Sequence, residues 1–306
     1  MRLLTRSDFD GLICAVLLKE AKLMDDWKFV HPNDIQNFLM NVTDNDILAN
    51  VPYVQGCGLW FDHHSSEQQR NASGTKKYNG LSKPAPSCAR VIWDYYDGHK
   101  TFPAKFDEMM EYVDRCDSGQ LTIEEIENPK GWVLLNFIMD PRTGLGRYRD
   151  YTISNYQLMV NLIEACGTMS VEQILKLPDV RERITRYFAQ QALYKEMILR
   201  NGTTFGNLVV IDLRNEEEIL SGNRFTVYAL YPDCNISCHI IWGLKKQNTV
   251  FAVGRSILNR TSRTDVGKLM LKYGGGGHDS VGTCQVPNHR AEEVLKNLID
   301  QITTDG

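Results

Sequence analysis

The chain has 306 residues, of which 42% are hydrophobic and 24% are charged, and its net charge is −4. That length suffices for two domains, and the composition excludes a disordered chain or a bundle of membrane-spanning helices. The acidic balance argues against a large basic surface for long duplex DNA. Because the amino-terminal residues contain no apolar signal segment, we expect a cytoplasmic protein whose eight cysteines are reduced and mostly buried.

The first part of the chain alternates short apolar strands with helical patterns. A strand over 2–6, a tight turn over 8–11 and a helix over 12–23 form the opening of a β-α-β unit. Further strands are predicted at 27–30, 46–53 and 59–61, and helices at 31–42, 87–96, 104–115, 156–165 and 180–200. The alternation up to about residue 115 predicts an α/β domain with a mainly parallel sheet covered on both faces.

The rest of the chain predicts a helical extension and then a second, smaller α/β domain. Residues 121–200 show few strand signals. The elements predicted after them are strands at 206–212, 225–230, 236–242 and 250–254, and helices at 265–272 and 291–302. Because strands follow one another before the helices, a mixed sheet is expected. The predicted organisation is one domain over 1–185, a helical connector over 186–205 and a second domain over 206–306.

Carboxylate and imidazole side chains gather at the predicted strand ends of the first domain. They form three clusters: Asp8 with Asp10, Asp62 with His63 and His64, and Asp114 with Asp117. Side chains at the carboxyl edge of a parallel sheet lie where such folds bind ligands. Carboxylates with imidazole and no thiolate suit manganese, magnesium or zinc, and a paired metal site is an arrangement that hydrolyses phosphate esters.

Each of these motifs also has an ordinary structural explanation. An Asp-x-Asp-Gly sequence before a helix is usually a helix cap and turn. Adjacent histidines at a strand end are more often incidental than functional, and Asp-Ser-Gly at 117–119 is an ordinary turn. The occurrence of all three motifs at successive predicted strand ends is what favours a metal site.

A run of four glycines follows the predicted helix 265–272 and is followed in turn by His278. Consecutive glycines leave backbone N–H groups able to approach a phosphate closely, and the histidine adds a donor. A helix end followed by a loop explains one glycine easily and four poorly. Arg255, at the end of a predicted strand, could make a bidentate contact with the same phosphate, although a surface arginine is the alternative.

Together these motifs resemble those of the DHH phosphoesterases, which are named for the triplet found here at 62–64. The motifs stand in the family's order and span nearly the whole chain. The resemblance implies a divalent metal, manganese first and magnesium or zinc as alternatives. It places His64 beside the scissile phosphate, with Asp62 as a ligand or a group that orients a histidine. The implied metal ligands are Asp8, Asp10, His63, Asp117 and the position of Asn50, and the implied substrate-binding residues are Arg255, Gly275, Gly276, Gly277 and His278.

Two positions depart from the family's usual pattern. Leu4 stands where the family usually has a histidine, and Asn50 stands where it has an aspartate that often bridges two metals. We therefore expect the metal position of Asp10, His63 and Asp117 to be well formed and the second position to be weak. Replacement of the missing carboxylate by a nearby one stays open at this stage, the candidates being Asp44, Asp46 and Asp114.

The resemblance implies a metal-dependent phosphohydrolase with a small substrate. The candidates are a short oligonucleotide, 3′-phosphoadenosine 5′-phosphate, a cyclic dinucleotide and polyphosphate, in line with oligoribonucleases and exopolyphosphatases of the family. The alternative is a regulatory protein that binds nucleotides or phosphate but has lost turnover. Neither long duplex DNA nor a membrane is an expected partner. The long helix over 180–200 could serve a homodimer, although an interdomain connector is the simpler explanation.

Overall fold

The computed structural model describes residues 1–36, 39–64 and 77–306. The described chain divides into two units, one formed by Met1–Gln120 with Pro129–Tyr187 and the other by Leu121–Asn128 with Phe188–Gly306. A single helix, Pro178–Arg200, passes from the first unit into the second. Of the predicted helical connector over 186–205, residues 186–200 continue this helix and Gly202–Phe205 form a strand. The segment Leu121–Asn128 of the helical extension belongs to the second unit, and the predicted domain bounds stay a prediction.

The first unit contains a parallel five-stranded sheet within its described residues. The strands are β1 (Arg2–Thr5), β2 (Asp26–Phe29), β3 (Asp46–Ala49), β4 (Leu59–Asp62) and β5 (Gly80–Ser82). Their order is β2-β1-β3-β4-β5, and all neighbouring pairs are parallel. The predicted parallel sheet is confirmed, and the carboxyl ends of β1, β3 and β4 consequently meet along one edge.

Helices account for much of the remaining structure. The α-helices are α1 (Phe9–Glu20), α2 (Pro32–Gln36), α3 (Cys88–Tyr95), α4 (Asp107–Asp117), α5 (Ile123–Glu127), α6 (Gly131–Met139), α7 (Asn155–Thr168), α8 (Val171–Ile174), α9 (Pro178–Arg200), α10 (Thr226–Leu230), α11 (Val266–Leu271) and α12 (Ala291–Asp305). Short 3₁₀ helices occur at Gly98–Lys100, Ala104–Phe106, Pro141–Thr143, Leu145–Arg147, Leu244–Lys246 and Asn288–Arg290.

Helix α2 is shorter than the helix predicted over 31–42. It ends at Gln36, and residues 37–38 of the predicted helix lie outside the described part of the chain. Leu39 is 71% exposed. Residues 39–42 are not helical, so the predicted helix does not extend to residue 42.

The first sheet is buried on both faces, as its apolar strands predict. Leu4, Leu48 and Trp60 from three neighbouring strands pack in one cluster with residues of the flanking segments. The alternate residues of the same strands, such as Ile47 and Phe61, are also fully buried. Successive side chains of a strand point to opposite faces of the sheet, so both faces of these strands are covered by the core. Only the residues at the strand ends reach the sheet edge.

The second unit contains a mixed six-stranded sheet, as predicted. Its strands are β6 (Gly202–Phe205), β7 (Leu208–Asp212), β8 (Ile236–Trp242), β9 (Thr249–Arg255), β10 (Gly276–Gly277) and β11 (Val281–Val286). The order is β10-β11-β9-β8-β7-β6, in which only the pair β7–β8 is parallel among these described strands. Helices α11 and α12 contribute to the core on one face of this sheet.

One predicted strand of the second unit was wrong. Residues 226–230 form the helix α10, in which Val227 and Tyr228 are buried. The Tyr228 hydroxyl donates to the carbonyl of Gly254 and also hydrogen-bonds to the Ser237 hydroxyl. A short apolar run has no periodicity that separates a strand from a buried helical turn, and here the packing against the sheet decides.

We expect a pH dependence of stability that originates in β8. Burial lowers the pKa of His239 from 6.5 to about 4. The unfolded chain therefore binds a proton between these two pH values that the folded chain does not, so stability falls as pH decreases from 6.5 towards 4. At pH 5 the lowered pKa of this residue should reduce the free energy of unfolding by about 2 kcal/mol relative to pH 8. The measurement is urea unfolding at both pH values, and a His239→Gln variant should lose this part of the difference; an unchanged difference would contradict the assignment.

Among the described residues, no helix is both long and apolar enough to cross a membrane. Seven of the eight cysteines are buried, in agreement with the expectation that they serve as small core residues.

Candidate metal centre

The candidate ligands converge at the carboxyl edge of the first sheet. Asp8 and Asp10 follow β1, Asn50 follows β3, and Asp62 ends β4 and leads into the histidine pair. Asp117 comes from the last turn of helix α4 and not, as predicted, from the end of a strand. Helix α4 thus brings in the carboxylate that the strand pattern alone could not place.

Three of these side chains form a group that could hold a metal ion. Ligand atoms of Asp10, His63 and Asp117 all lie within 4.8 Å of one another. The Nε2 atom of His63 lies 3.3 Å from Asp117 Oδ2 and 3.7 Å from Asp10 Oδ2. One imidazole nitrogen therefore faces two carboxylate oxygens from separate elements of the fold.

The other ring nitrogen of His63 fixes which tautomer is present. Nδ1 lies 3.1 Å from the carbonyl oxygen of Ala85. Since a carbonyl oxygen can only accept, Nδ1 carries the hydrogen, and the neutral ring then presents its Nε2 lone pair to the carboxylates. Hydrogen bonding of this kind orients metal-bound histidines generally.

The donor set fits a divalent cation. His63 Nε2 is buried and has no hydrogen-bond partner among the described residues. A divalent ion bound between these atoms would be attracted to both carboxylates and to the Nε2 lone pair. Carboxylate oxygens with one imidazole suit manganese, magnesium or zinc.

Asp10 is held in place by the amino terminus of helix α3. Its Oδ2 accepts from the Cys88 amide at 2.9 Å and its Oδ1 from the Ala89 amide at 2.8 Å. The residue is 1% exposed, and burial together with the charge of Asp117 raises the pKa of Asp10 to about 7. Two amide donors, burial and a neighbouring acid thus distinguish Asp10 from an ordinary surface aspartate.

Asp114 supports this arrangement and is not placed as a ligand. Its Oδ1 accepts from the Ser87 hydroxyl at 2.6 Å, and its Oδ2 accepts from Arg90 Nε at 2.8 Å. Ser87 is also the cap of helix α3, because its oxygen accepts from the Arg90 amide. Asp114 therefore fixes the helix end that holds Asp10.

The other two carboxylates considered as replacements for the residue at position 50 also lie elsewhere. Asp46 begins β3, whereas Asn50 follows its last residue, and Asp46 Oδ1 accepts from Arg2 Nε at 2.7 Å. Asp44 is exposed before the start of that strand. Among these candidates, none brings a carboxylate to the Asn50 end of β3.

Asp8 has a different environment from Asp10. Its Oδ1 accepts from the Gly11 amide at 3.0 Å, as a helix cap does, and from Asn50 Nδ2 at 3.1 Å. Arg6 Nε lies 3.1 Å from Asp8 Oδ2. Leu4, the residue at the usual histidine position, is 0% exposed in the sheet core and offers no ligand. Asp8 thus lies at the centre but has several nitrogen donors of the protein around it.

Asp62 orients His64. The Asp62 side chain is fully buried, its Oδ1 is 2.8 Å from His64 Nδ1, and its Oδ2 accepts from the His64 amide at 3.2 Å. Burial of the imidazole disfavours its charge, but the hydrogen bond and charge of Asp62, with the charge of Asp117, raise the pKa of His64 above its ordinary value. The pair presents an imidazole that holds its proton more firmly than an isolated histidine.

Arg142 is a charged residue of this region that the motifs did not indicate. Its backbone amide and its Nε both donate to Asp140 Oδ1, at 2.9 and 2.7 Å. Partial loss of hydration opposes its charge, but the carboxylates of Asp140, Asp8 and Asp117 outweigh this and raise the pKa of the guanidinium, whose side chain is 49% exposed. An Asp-x-Arg pair after a helix was the only available signal in the sequence, and such pairs are common in turns.

The glycine segment of the second unit forms a helix end and a hairpin. The amides of Gly274 and Gly275 donate to carbonyls at the end of α11, and the His278 amide donates to Val281. The expectation that the whole run leaves its N–H groups open is wrong for these amides. A Cβ on Gly276 would meet no described atom within 4 Å, and the same holds for Gly274, whose φ of 75° favours glycine.

Other glycines of this segment are required by close packing. A Cβ on Gly275 would lie 2.1 Å from the carbonyl oxygen of Thr283, and one on Gly277 would lie 2.2 Å from that of Val281. Arg255 donates from Nε to the Thr264 carbonyl at 2.8 Å, and its Nη1 lies 3.7 Å from Asp279 Oδ2. Substrate binding by Arg255, Gly275–Gly277 and His278 stays a prediction.

Comparison with known proteins shows which solved structures share this fold. A scan against protein-family models found no match, and a search of curated proteins found none either. Among solved structures, the chain is 53% identical to the pGpG-specific phosphodiesterase PggH from Vibrio cholerae, with a TM-score of 0.86, over 100% of this chain and 99% of that one.

Two more distant structures share the fold alone. A DHH domain from a protein assigned to a family of ribosomal proteins is 12% identical, with a TM-score of 0.58, over 99% of this chain and 86% of that one. RecJ from Thermus thermophilus in complex with Mn²⁺ is 11% identical, with a TM-score of 0.52, over 99% of this chain and 52% of that one. With a full-length relative at 53% identity and the triplet Asp62-His63-His64 at the end of β4, the chain belongs to the DHH family of phosphoesterases.

Proposed function

We propose that this protein hydrolyses the phosphodiester bond of pGpG, a 5′-phosphorylated diribonucleotide. The observation that carries the proposal is the 53% identity, over the whole chain, with a phosphodiesterase specific for pGpG. The centre at the edge of the first sheet supports it, because buried carboxylates and an imidazole are grouped there in the manner of a metal-assisted hydrolase.

The proposed reaction consumes one water per diester bond. Water oxygen bonds to phosphorus, the bond between phosphorus and the 3′ oxygen of the first nucleoside breaks, and that oxygen takes up a proton. Both products are 5′-GMP. The barrier is set by charge on the phosphoryl oxygens and on the leaving 3′ oxygen, so a site must supply positive charge and a proton donor.

Asp10, His63 and Asp117 are proposed to hold the divalent ion, with manganese as the first candidate. When bound, such an ion acts as a Lewis acid towards phosphoryl oxygens and makes water a better nucleophile at neutral pH. The protein's part is to keep the three ligands in place: the amides of Cys88 and Ala89 fix Asp10, and the Ala85 carbonyl fixes the His63 ring.

His64 is proposed as the proton donor and Asp62 as its positioning residue. The hydrogen bond from Nδ1 to Asp62 sets the ring orientation and stabilises the charged imidazolium. The Nε2 side of such an imidazolium can donate to the leaving 3′ oxygen. Asp62 itself is fully buried and acts through the histidine.

Arg142 is proposed to bind a phosphate of the substrate. Its guanidinium is fixed by Asp140 and lies within the electrostatic reach of Asp8 and Asp117. A fixed guanidinium near carboxylates is a good site for an anion, because it is always charged and presents several N–H donors.

A substrate panel tests the proposed function. Purified protein with Mn²⁺, Mg²⁺ or Zn²⁺ would be incubated with pGpG, pApA, cyclic di-GMP, 3′-phosphoadenosine 5′-phosphate and polyphosphate, and products separated by chromatography. We expect kcat/KM for pGpG to exceed that for each other compound by at least about tenfold. Preference for another compound would contradict the assignment of pGpG. Binding of pGpG without turnover of any compound would instead support a regulatory binding protein.

Replacing Arg255 tests the predicted role of the second unit. If its guanidinium binds a substrate phosphate, Arg255→Ala should raise KM about tenfold and change kcat by less than about threefold. Arg255→Lys keeps a donor for the Thr264 carbonyl but not the bidentate geometry, and should show most of the same KM effect. Steady-state kinetics with pGpG measure this. Unchanged kinetics in both variants would show that Arg255 only stabilises its loop.

A further inference from the structure

Arg6 occupies the side of the centre on which Asp8 would otherwise accept a second cation. Arg6 Nε lies 3.1 Å from Asp8 Oδ2, and the Asp8 side chain is 12% exposed. The other oxygen, Oδ1, already accepts from the Gly11 amide and from Asn50 Nδ2. Both carboxylate oxygens of Asp8 therefore face nitrogen donors of the protein.

The position of Arg6 is set by the backbone around it. A Cβ on Gly11 would lie 2.1 Å from the carbonyl oxygen of Arg6, so helix α1 approaches this peptide as closely as only glycine allows. The same helix carries Asp10, the buried ligand of the metal group. Arg6 and Asp10 are thus fixed relative to each other by one tight contact.

The side-chain amide of Asn50 is oriented with its nitrogen towards Asp8. Its Nδ2 donates to Asp8, whereas a metal ligand would have to present the oxygen; Asn50 Oδ1 is buried without a hydrogen-bond partner among the described residues. With φ at 56°, the residue adopts the left-handed conformation that asparagine tolerates better than most side chains. The neutral amide adds no charge to the Asp8 side of the centre.

We infer that the Arg6 guanidinium serves as the second fixed positive charge of the centre, so that the protein works with one divalent ion, held by Asp10, His63 and Asp117. One divalent ion and the Arg6 guanidinium carry three positive charges, which would offset the carboxylates at positions 8, 10 and 117 once metal binding keeps all three ionised. The Arg6 side chain is 34% exposed, which leaves part of it accessible to an anionic substrate.

The location of Arg6 also relates it to the reacting groups. Arg6 Nε lies 3.1 Å from Asp8 Oδ2, so the guanidinium lies beside a carboxylate of the proposed centre. A guanidinium between a carboxylate and a phosphate can form charge-assisted hydrogen bonds to both. The role extends the proposed function, because Arg6 would stabilise charge on the same phosphoryl group.

Counting the bound ions tests the inference without any substrate. Metal-free protein would be titrated with Mn²⁺ by calorimetry, and bound metal counted by elemental analysis after gel filtration. We expect one tight ion per chain. Arg6→Gln should bind that ion roughly tenfold more tightly, because a divalent cation no longer has a guanidinium nearby, and should lower kcat for pGpG roughly a hundredfold.

The matched control lies at the start of the strand that leads to Arg6. Arg2→Gln removes an arginine that pairs with Asp46 at the other end of the sheet, with similar exposure, and should change neither metal affinity nor kcat. Thermal unfolding of each variant confirms that it folds. Absence of turnover of pGpG in the wild-type protein would count against the proposed function and leave the ion count as an independent result.

A double variant gives the sharpest outcome. Arg6→Gln with Asn50→Asp removes the guanidinium and adds a carboxylate next to Asp8, and we expect it to bind two Mn²⁺ ions per chain. Two ions of similar affinity in the wild-type protein would overturn the inference. So would an Arg6→Gln variant whose metal affinity and kcat both match those of the wild type.

Discussion

Replacing Asp117 with alanine should abolish tight metal binding and hydrolysis of pGpG together. Its carboxylate is 3.3 Å from His63 Nε2 and is the candidate ligand contributed by helix α4. Without it, two protein ligands remain in the group, and we expect kcat/KM to fall by at least about a thousandfold. Calorimetric titration with Mn²⁺ and steady-state kinetics on the same preparation measure both effects.

The same helix supplies a control for this variant. Glu111→Ala removes an acidic side chain that is 65% exposed and should leave metal binding and kcat/KM unchanged. An Asp117→Ala protein that retained wild-type metal affinity would exclude Asp117 as a ligand. Retained affinity with lost activity would move its role from the metal to the substrate, contrary to the account given above.

Replacing His64 should separate catalysis from metal binding. His64→Ala removes the proposed proton donor but none of the three grouped ligands, so kcat should fall by about a hundred- to ten-thousandfold while Mn²⁺ affinity changes little. Asp62→Asn keeps the histidine but removes the charge that raises its pKa, and should lower kcat by a smaller factor.

The pH profile distinguishes the two variants further. In the wild type, kcat should decline on the alkaline side as the imidazolium loses its proton, and in Asp62→Asn this decline should move to lower pH because the pKa of His64 is no longer raised by the carboxylate. The measurement is kcat against pH at saturating Mn²⁺. An alkaline limb that stays in place in Asp62→Asn would contradict the assigned pairing.

Structural features that follow from a repeated sequence pattern were predicted correctly, whereas features that depend on a single contact were not. Apolar strands followed by Asp or His predicted Asp10 and His63 at one sheet edge, and the parallel order of β1, β3 and β4 brings them there. Asn50 was indicated only by the family resemblance, because the strand predicted over 46–53 in fact ends at Ala49. The strand predicted over 225–230 was wrong because a short apolar run has no periodicity that separates strand from helix. The hydrogen bonds of the Tyr228 hydroxyl to the sheet form only in the folded unit.

The charged residues around the metal centre could not be predicted from the sequence pattern. Arg6 lies two positions from Asp8, a spacing found on many surfaces, and only the fold brings its Nε to the carboxylate. Arg142 is far along the chain from the triplet. Likewise, the choice among Asp44, Asp46 and Asp114 required coordinates, since a carboxylate four residues before Asn50 lies at the opposite end of the same strand.

The stoichiometry and metal dependence of pGpG hydrolysis test directly whether the metal centre carries the proposed activity. Protein stripped of metal with a chelator and dialysed would be mixed with pGpG, with and without added Mn²⁺, and the products quantified by chromatography over time. We expect two 5′-GMP per pGpG with added metal and none above background without it. Full turnover by the metal-free protein, or no turnover with Mn²⁺, Mg²⁺ or Zn²⁺ restored, would contradict this expectation.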